Sequence, residues 1–122
     1  MPVLATDANG QLTEAFGPSA VENIAAAGSA IANATAISTG TGLAVVTGAD
    51  DTKGVVLPAA YPGKVVRIYN NQATNGLKVY APVNSAINGG SANSAVVIEG
   101  KTLAEFVGTN ATNYAGSYTA NS

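Results

Sequence analysis

The sequence predicts a mainly β protein, a small antiparallel β-sandwich or barrel that follows an extended N-terminal arm. From about residue 43 onward, short apolar runs alternate with turn clusters, which is typical of all-β domains. The 14 glycines and five prolines supply residues that turns favour. No apolar run approaches the ~20 residues that a spanning helix requires, and no N-terminal segment has the pattern of a secretory signal. The length of 122 residues suits one domain with its own core.

Residues 1–19 are predicted to form the arm, and residues 20–122 a single β domain. Asn9-Gly10 and Gly17-Pro18 interrupt regular structure, and the apolar residues of the arm follow no helical or strand period. Such a segment is either disordered or ordered by a partner. The side chains that a partner would bury are the candidates for contact with it: Val3, Leu4, Leu12 and Phe16.

Residues 20–38, "AVENIAAAGSAIANATAIS", carry two conflicting signals. Their alanine content favours a helix, and a helix over residues 20–27 is one interpretation. Gly28 and the β-branched residues oppose it, because Ile31, Thr35 and Ile37 share one face of a strand with a period of two. The pattern therefore favours a strand, and the helix stays open as the alternative.

Six strands are predicted in the rest of the domain, with two hairpins among them. The first hairpin turns at Asn75-Gly76, a favoured hairpin dipeptide, and the second turns at Gly100-Lys101. The polar C-terminal tail has Tyr114 and Tyr118 as candidate anchors to the domain. The predicted strands cover residues 43–48, 54–58, 64–70, 77–82, 95–100 and 102–108.

Several of these strands carry apolar side chains on both faces, as in Val55-Val56-Leu57 and in Leu103, Phe106 and Val107. A sheet with one face in water should alternate apolar and polar residues instead. The pattern therefore predicts a core on one side and a second buried surface on the other. In so small a chain, the second surface is expected to meet another subunit.

The amino-acid composition argues against most kinds of catalytic and metal site. Only 10% of the residues are charged, and the chain contains no His and no Cys. Transition-metal sites and histidine-based nucleophilic catalysis therefore lack their usual residues. Asp50 and Asp51 fit a turn, and Glu99 fits a solvated corner. We expect no enzyme, no cofactor and no metal site.

The distribution of charge argues against a nucleic-acid partner. The net charge is −2, with five acidic and no basic residues in 1–52, and five basic and two acidic residues in 53–122. The bases stand singly, whereas a nucleic-acid surface needs them concentrated on one face. We therefore expect neither a nucleic acid nor a membrane as the partner.

Two tyrosines stand out as a candidate surface site. Tyr69 and Tyr80 are predicted to point outward from adjacent strands of the first hairpin, so that they would form a cross-strand pair. Such a pair is predicted to hold the sheet or a subunit interface together, since aromatic residues are common in interfaces. The alternative is that it binds a sugar.

The order of several segments resembles a β-rich module of tailed-bacteriophage virion proteins. The segments are "GVVLPAA", "PGKVVRIYNN", "LKVYAP" and "SAINGGSANSAVVIEGKTLAEFVG", and the resemblance covers residue 37 to about residue 118. It rests on scaffold residues and identifies no site. The matching residues are Leu57, Pro58, Ile68, Asn70, Val79, Tyr80, Pro82, Ile87, Asn88, Gly89 and Phe106.

Such modules occur in capsid decoration (cement) proteins, head fibres and tail fibres, and they are usually trimeric or attached at symmetric sites. The resemblance implies a homotrimeric structural protein on the outer surface of the virion capsid. There it would bind the major capsid protein, bridge neighbouring subunits and stabilise the mature head. The alternative is a receptor- or glycan-binding module of a head fibre or tail fibre.

Overall fold

A computed structural model describes residues 21–120, together with the backbone of residues 5–6, 12–13 and 20. This part of the chain is mainly β, as predicted, and its only helical element is a short 3-10 turn at Ile31–Asn33. The strands are β1 Ala5–Thr6, β2 Leu12–Thr13, β3 Ala20–Ala25, β4 Thr35–Ala36, β5 Thr41–Thr47, β6 Gly54–Val56, β7 Val65–Asn70, β8 Leu77–Tyr80, β9 Ala86–Ile87, β10 Ala95–Ile98, β11 Leu103–Asn110 and β12 Asn113–Ser117.

Strands β3 to β8 wind as a short β-solenoid. Successive strands alternate between two sheets, so β3, β5 and β7 pair in parallel in one sheet and β4, β6 and β8 pair in parallel in the other. Paired residues lie one coil apart in the sequence. The separation is 20 positions for Thr35 and Val55 and 24 positions for Leu43 and Arg67. Three coils of similar length therefore stack on one another.

The C-terminal strands complete both sheets. β11 adds antiparallel to β7, β12 adds antiparallel to β11, and β9 pairs in parallel with β12. β10 adds antiparallel to β8. The six-stranded sheet thus has the order β3-β5-β7-β11-β12-β9, and the four-stranded sheet has the order β10-β8-β6-β4. A separate two-stranded sheet contains β1 and β2.

The predicted antiparallel sandwich or barrel is therefore wrong for the first three coils, and both predicted hairpins are wrong. β7 and β8 belong to different sheets, and so do β10 and β11. Asn75-Gly76 and Gly100-Lys101 turn the chain from one sheet to the other. The physical reason is that strands with apolar residues on both faces also suit parallel pairing, and a local turn signal does not reveal which strand becomes the neighbour.

Residues 20–38 form two strands, β3 and β4, with a 3-10 turn between them, so the helix alternative for residues 20–27 is wrong. The strand β3 covers Ala20–Ala25, but the predicted strand face fails at Ile31, which begins the 3-10 turn. Gly28 has a positive φ of 68°, which ends the regular strand geometry before that turn.

Both sheets point their inward side chains into one core. Val46, Val66 and Phe106 come from the six-stranded sheet, and Val55 and Val79 come from the four-stranded sheet. The side chain of Asn70, at the corner that ends β7, is fully buried, and main-chain groups make the hydrogen bonds that water would otherwise make with it. Its Nδ2 donates to the carbonyl oxygens of Asn75 (2.9 Å) and Ile98 (3.2 Å), and its Oδ1 accepts from the Gln72 amide (3.2 Å). These contacts hold three segments of the corner together.

Candidate assembly surface

The outer face of the six-stranded sheet carries mostly apolar side chains. Its positions alternate with the core positions, and the strand register aligns them in three rows across the sheet. We call this surface the outer face. The rows are Val65, Val107 and Ala115; then Val21, Leu43, Arg67, Glu105 and Ser117; then Asn23, Val45, Tyr69 and Leu103.

Two apolar side chains at the outer face lie largely in solvent. Val21 is 60% exposed and Leu103 is 56% exposed, while Leu43, Val45 and Val107 are half-buried. Single exposed apolar residues are ordinary on protein surfaces, but a contiguous apolar patch marks an interaction site. The strand register makes these residues neighbours in rows, so the outer face is a candidate interaction site.

The four-stranded sheet differs, because the segment after β3 lies against its outward residues. The Ser29 carbonyl accepts hydrogen bonds from Tyr80 Oη (3.4 Å) and Lys78 Nζ (3.5 Å), and Ala27 exchanges main-chain hydrogen bonds with Gly54. Tyr80 is only 5% exposed as a result. The protein thus buries the outward aromatic side chain of one sheet while the outer face of the other sheet stays in solvent.

One ion pair occupies the middle of the outer face. Arg67 and Glu105 are directly opposite each other on β7 and β11, and Nη2 of Arg67 lies 2.9 Å from Oε2 of Glu105. Both side chains are about half exposed. An exposed pair of this kind stabilises a fold by only ~0–1 kcal/mol. Its larger consequence is that the outer face has no net charge and does not repel an identical face.

The size of the outer face can be estimated from the spacing of strands. Five strands about 4.8 Å apart and three rows about 6.7 Å apart cover roughly 480 Å². A standard protein interface buries about 800 Å² on each partner. The outer face is therefore large enough to form the centre of an interface, and surrounding contacts must supply the remainder.

Two side chains with shifted pKa values, Glu22 and Tyr114, make hydrogen bonds that connect different parts of the fold. The hydrogen bond from Thr41 Oγ1 (2.8 Å) is the main cause of a lowered pKa at Glu22, and Ser38 adds two further hydrogen bonds. Burial is the main cause of a pKa of about 12 at Tyr114, whose hydroxyl donates to the Pro58 carbonyl (2.7 Å). Residues 20–120 contain no group of three His, Cys, Asp or Glu side chains that could hold a metal ion.

The structure separates the predicted aromatic pair. Tyr69 is half-buried on the outer face, whereas Tyr80 is buried in the four-stranded sheet. The prediction of a surface pair on one hairpin is therefore wrong, because β7 and β8 are not neighbours in a sheet. The aromatic pair that does form is Phe106 with Tyr118, whose stacked rings have centroids 6.2 Å apart.

The predicted contact residues of the arm fall mainly outside the described part of the chain. Val3, Leu4 and Phe16 lie outside it entirely, and only the backbone of Leu12 is described, in β2. The two-sided apolar strands predicted a second buried surface but not its position. Apolar residues at alternate positions of the strands, such as Leu43 and Val45, indicate this surface in the sequence. Only the order of the strands in the sheet shows that these residues are neighbours.

Comparison with known proteins adds no family to this description. No protein-family model matches the sequence, and no curated protein matches it. In the described residues, no helix combines the length and apolar character needed to cross a membrane.

Proposed function

We propose that the protein is a structural component of a tailed-phage head, a decoration (cement) protein on the outer surface of the mature capsid. The observation that carries the proposal is the outer face, an apolar and electrically neutral surface in a chain with only 10% charged residues. Such a surface binds other protein surfaces and offers no group for bond-breaking chemistry. The resemblance of residues 37 to about 118 to phage virion modules supports a capsid as the place of assembly.

Copies of the chain would associate as a homotrimer through the outer face. Interfaces between identical subunits are mostly apolar, as the outer face is, and the two charges at its centre, Arg67 and Glu105, neutralise each other. Since the outer face provides about half of a standard interface, the trimer needs contacts beyond it. Other parts of the molecule would then meet the capsid.

The arm would provide the contact with the capsid. Its four apolar side chains, Val3, Leu4, Leu12 and Phe16, would bind the major capsid protein and bridge neighbouring subunits. A ligand that binds only the assembled lattice stabilises it by mass action, by about 2.7 kcal/mol for each site at roughly 100 times the Kd. A shell with many such sites would resist heat and internal pressure.

The test uses phage heads that lack this protein. Purified full-length protein is added, binding is measured by sedimentation with the heads, and the rupture temperature is recorded. We expect saturable binding and a higher rupture temperature. A variant with Val3, Leu4, Leu12 and Phe16 all changed to Ser should bind at least tenfold more weakly, whereas Val83→Ser, at an exposed loop position, should bind normally.

Two results would overturn the proposal. One is that neither the full-length protein nor the variants bind heads. The other is that the protein binds host cells or purified glycans instead, with binding lost on changing Tyr69 to Ala. That second result would establish the receptor-binding module of a fibre as the function.

A further inference from the structure

Four strands form the ends of the two sheets, and three of these edges are short or paired further. β4 and β9 each have two residues. β10 has four residues, and its end is covered by a bridge between Ile98 and Ala120 and by a hydrogen bond from the Glu99 amide to the Thr119 carbonyl. Short or covered edges are the usual protection against pairing with other chains.

The fourth edge, β3, lacks these protections. It is six residues long and contains no Lys, Arg or Pro. Its one charged residue, Glu22, alternates with the outer-face residues, and its carboxylate is bound by Ser38 and Thr41 of the same chain. No strand of residues 20–120 pairs with the outer side of β3. The Ala26 amide donates to Thr47 in β5, so the alternate residues Val21, Asn23 and Ala25 direct their main-chain groups away from β5. Of these groups, the Ala25 carbonyl accepts a hydrogen bond from Thr35 Oγ1 (2.6 Å).

In the described part of the chain, the β1–β2 hairpin lacks a larger sheet to join, whereas β3 has a free edge. Among the described residues, β1 and β2 pair with each other, through Ala5 with Thr13 and Thr6 with Leu12, and with no other strand. A two-stranded hairpin is at best marginally stable alone, and addition to a larger sheet stabilises it. The hairpin thus needs a sheet edge, and β3 offers one.

We propose that the β1–β2 hairpin of a second copy of this chain adds to the outer edge of β3 by main-chain hydrogen bonding. Six residues separate β2 from β3 in one chain, and the two strands are nonetheless not neighbours in its sheets. The edge of one copy is thereby left for the hairpin of another. Each copy donates one hairpin and accepts one, which is a head-to-tail contact that can close into a ring.

The inference deepens the proposed self-association and rests on it, but it does not depend on attachment to a capsid. Strand addition uses main-chain groups, so the apolar side chains of the arm stay available to a shell. The added hairpin would also lie beside Val21, the exposed apolar residue where β3 meets the outer face. The hairpin and the outer face would then belong to one continuous interface.

Cysteine cross-linking in full-length protein tests the proposal, because the natural chain has no Cys. Isotope-labelled Leu12→Cys or Thr13→Cys protein is mixed with unlabelled Asn23→Cys protein, oxidised mildly without capsids, and weighed intact by mass spectrometry. Adjacent positions in β2 face opposite sides, so both arm variants are needed. We expect one of the two to give a disulfide-linked dimer of intermediate mass, at least tenfold more abundant than with the control Ser91→Cys.

Three outcomes would overturn the proposal. No mixed dimer above the control would mean that the hairpin does not reach β3 of another copy. A monomeric disulfide in the double variants Leu12→Cys/Asn23→Cys and Thr13→Cys/Asn23→Cys would assign the edge to the hairpin of the same chain. A dominant dimer of Asn23→Cys with itself would show that two β3 strands pair with each other. Failure of head binding, measured separately, would leave the cross-linking result unaffected.

Discussion

At the scale of single residues, a few polar side chains close the turns between coils. Glu22 illustrates this, because its carboxylate accepts hydrogen bonds from the Ser38 amide (3.3 Å), Ser38 Oγ (3.1 Å) and Thr41 Oγ1 (2.8 Å). These contacts join β3 to Ser38 and to the start of β5, which lie 16 and 19 positions further along the chain. The first coil therefore depends on a carboxylate that stays ionised.

We predict that Glu22→Gln reduces the acid sensitivity of the fold. The lowered pKa in the folded state means that the stabilisation is complete above the unfolded-state value near 4.5 and is lost as the pH falls through the folded-state pKa. Glu22→Gln should lower the free energy of unfolding at pH 7 by about 0.5–1 kcal/mol. It should also flatten the loss of stability below pH 4.5, as measured by urea unfolding at several pH values.

Glu99→Gln is the matched control, because Glu99 is exposed and makes no side-chain hydrogen bond with residues 20–120. If Glu22→Gln and Glu99→Gln give the same pH profile, Glu22 does not hold the first coil.

Two Asn-Gly pairs are held in a way that should slow their deamidation. In that reaction the glycine amide nitrogen attacks the asparagine side chain. The Gly76 amide instead donates to Asp51 Oδ1 (2.6 Å), and the Gly89 amide donates to Asn113 Oδ1 (2.9 Å). Asn75 Nδ2 also donates to the Ala49 carbonyl (3.3 Å). Both glycine amides are therefore kept from the attack.

We predict that Asp51→Gly accelerates deamidation at Asn75 several-fold and leaves the rate at Asn88 unchanged. Glycine accepts the positive φ of 74° at position 51, so the turn keeps its backbone while losing the acceptor. Peptide mass spectrometry after incubation at mildly alkaline pH measures both rates in one sample. Equal acceleration at both sites would indicate general loosening, and no change at Asn75 would contradict the proposed protection.

At the scale of strands and turns, the sequence predicted most strand positions but not their neighbours. The predicted strands at 64–70 and 77–82 lie close to β7 and β8, because their β-branched runs are bounded by turn residues. Pairing was mispredicted since Asn75-Gly76 forms an inter-sheet corner as readily as a hairpin. Strands that stack in the same sheet are separated by a similar number of residues, 20 to 24, and this regular spacing is the sequence feature that indicates solenoid coils.

The last strand, β12, was missed because its sequence, "NYAGS", has little strand character. It pairs with β11 and β9, and its side chain Tyr114, which was predicted as an anchor, is fully buried. The hydroxyl of Tyr114 donates to the Pro58 carbonyl at the corner after β6 (2.7 Å). A long-range contact of this kind cannot be inferred from local sequence.

We predict that Tyr114→Phe lowers the free energy of unfolding by about 1–2 kcal/mol, because the buried Pro58 carbonyl loses its donor. The raised pKa means that this tyrosine stabilises the fold fully below pH 10 and that the stabilisation is lost as the pH rises towards 12. The variant should therefore lose less stability than the wild type between pH 10 and pH 12.

Urea unfolding at pH 7 and in that alkaline range gives both quantities. The control is Tyr61→Phe, since Tyr61 is exposed, and it is used at pH 7 only, because Tyr61 contributes to the raised pKa of Tyr114. A loss in Tyr114→Phe no larger than in the control would contradict the anchoring role.

At the scale of the whole molecule, the outer face and the outer edge of β3 are adjacent, and no strand of residues 20–120 pairs with that edge. Val21 belongs to both, since it lies on β3 and in the middle row of the outer face. Low charge, an apolar neutral surface and an unprotected strand in one small region suit a protein that works by assembling. A second buried surface was predicted from strands with apolar residues on both faces, and of the residues that carried this prediction only Leu103 and Val107 lie on the outer face.

The measurement that tests the central claim most directly is the oligomeric state in solution. Sedimentation equilibrium is run over a range of micromolar concentrations on the wild type, Leu103→Lys and Val83→Lys. Leu103 and Val83 are similarly exposed, at 56% and 62%, but only Leu103 lies on the outer face. We predict a trimer for the wild type and Val83→Lys, and at least tenfold weaker association for Leu103→Lys at an unchanged melting temperature. A wild type that stays monomeric, or a Leu103→Lys variant that associates as strongly as the wild type, would contradict the assignment of the outer face as the assembly surface.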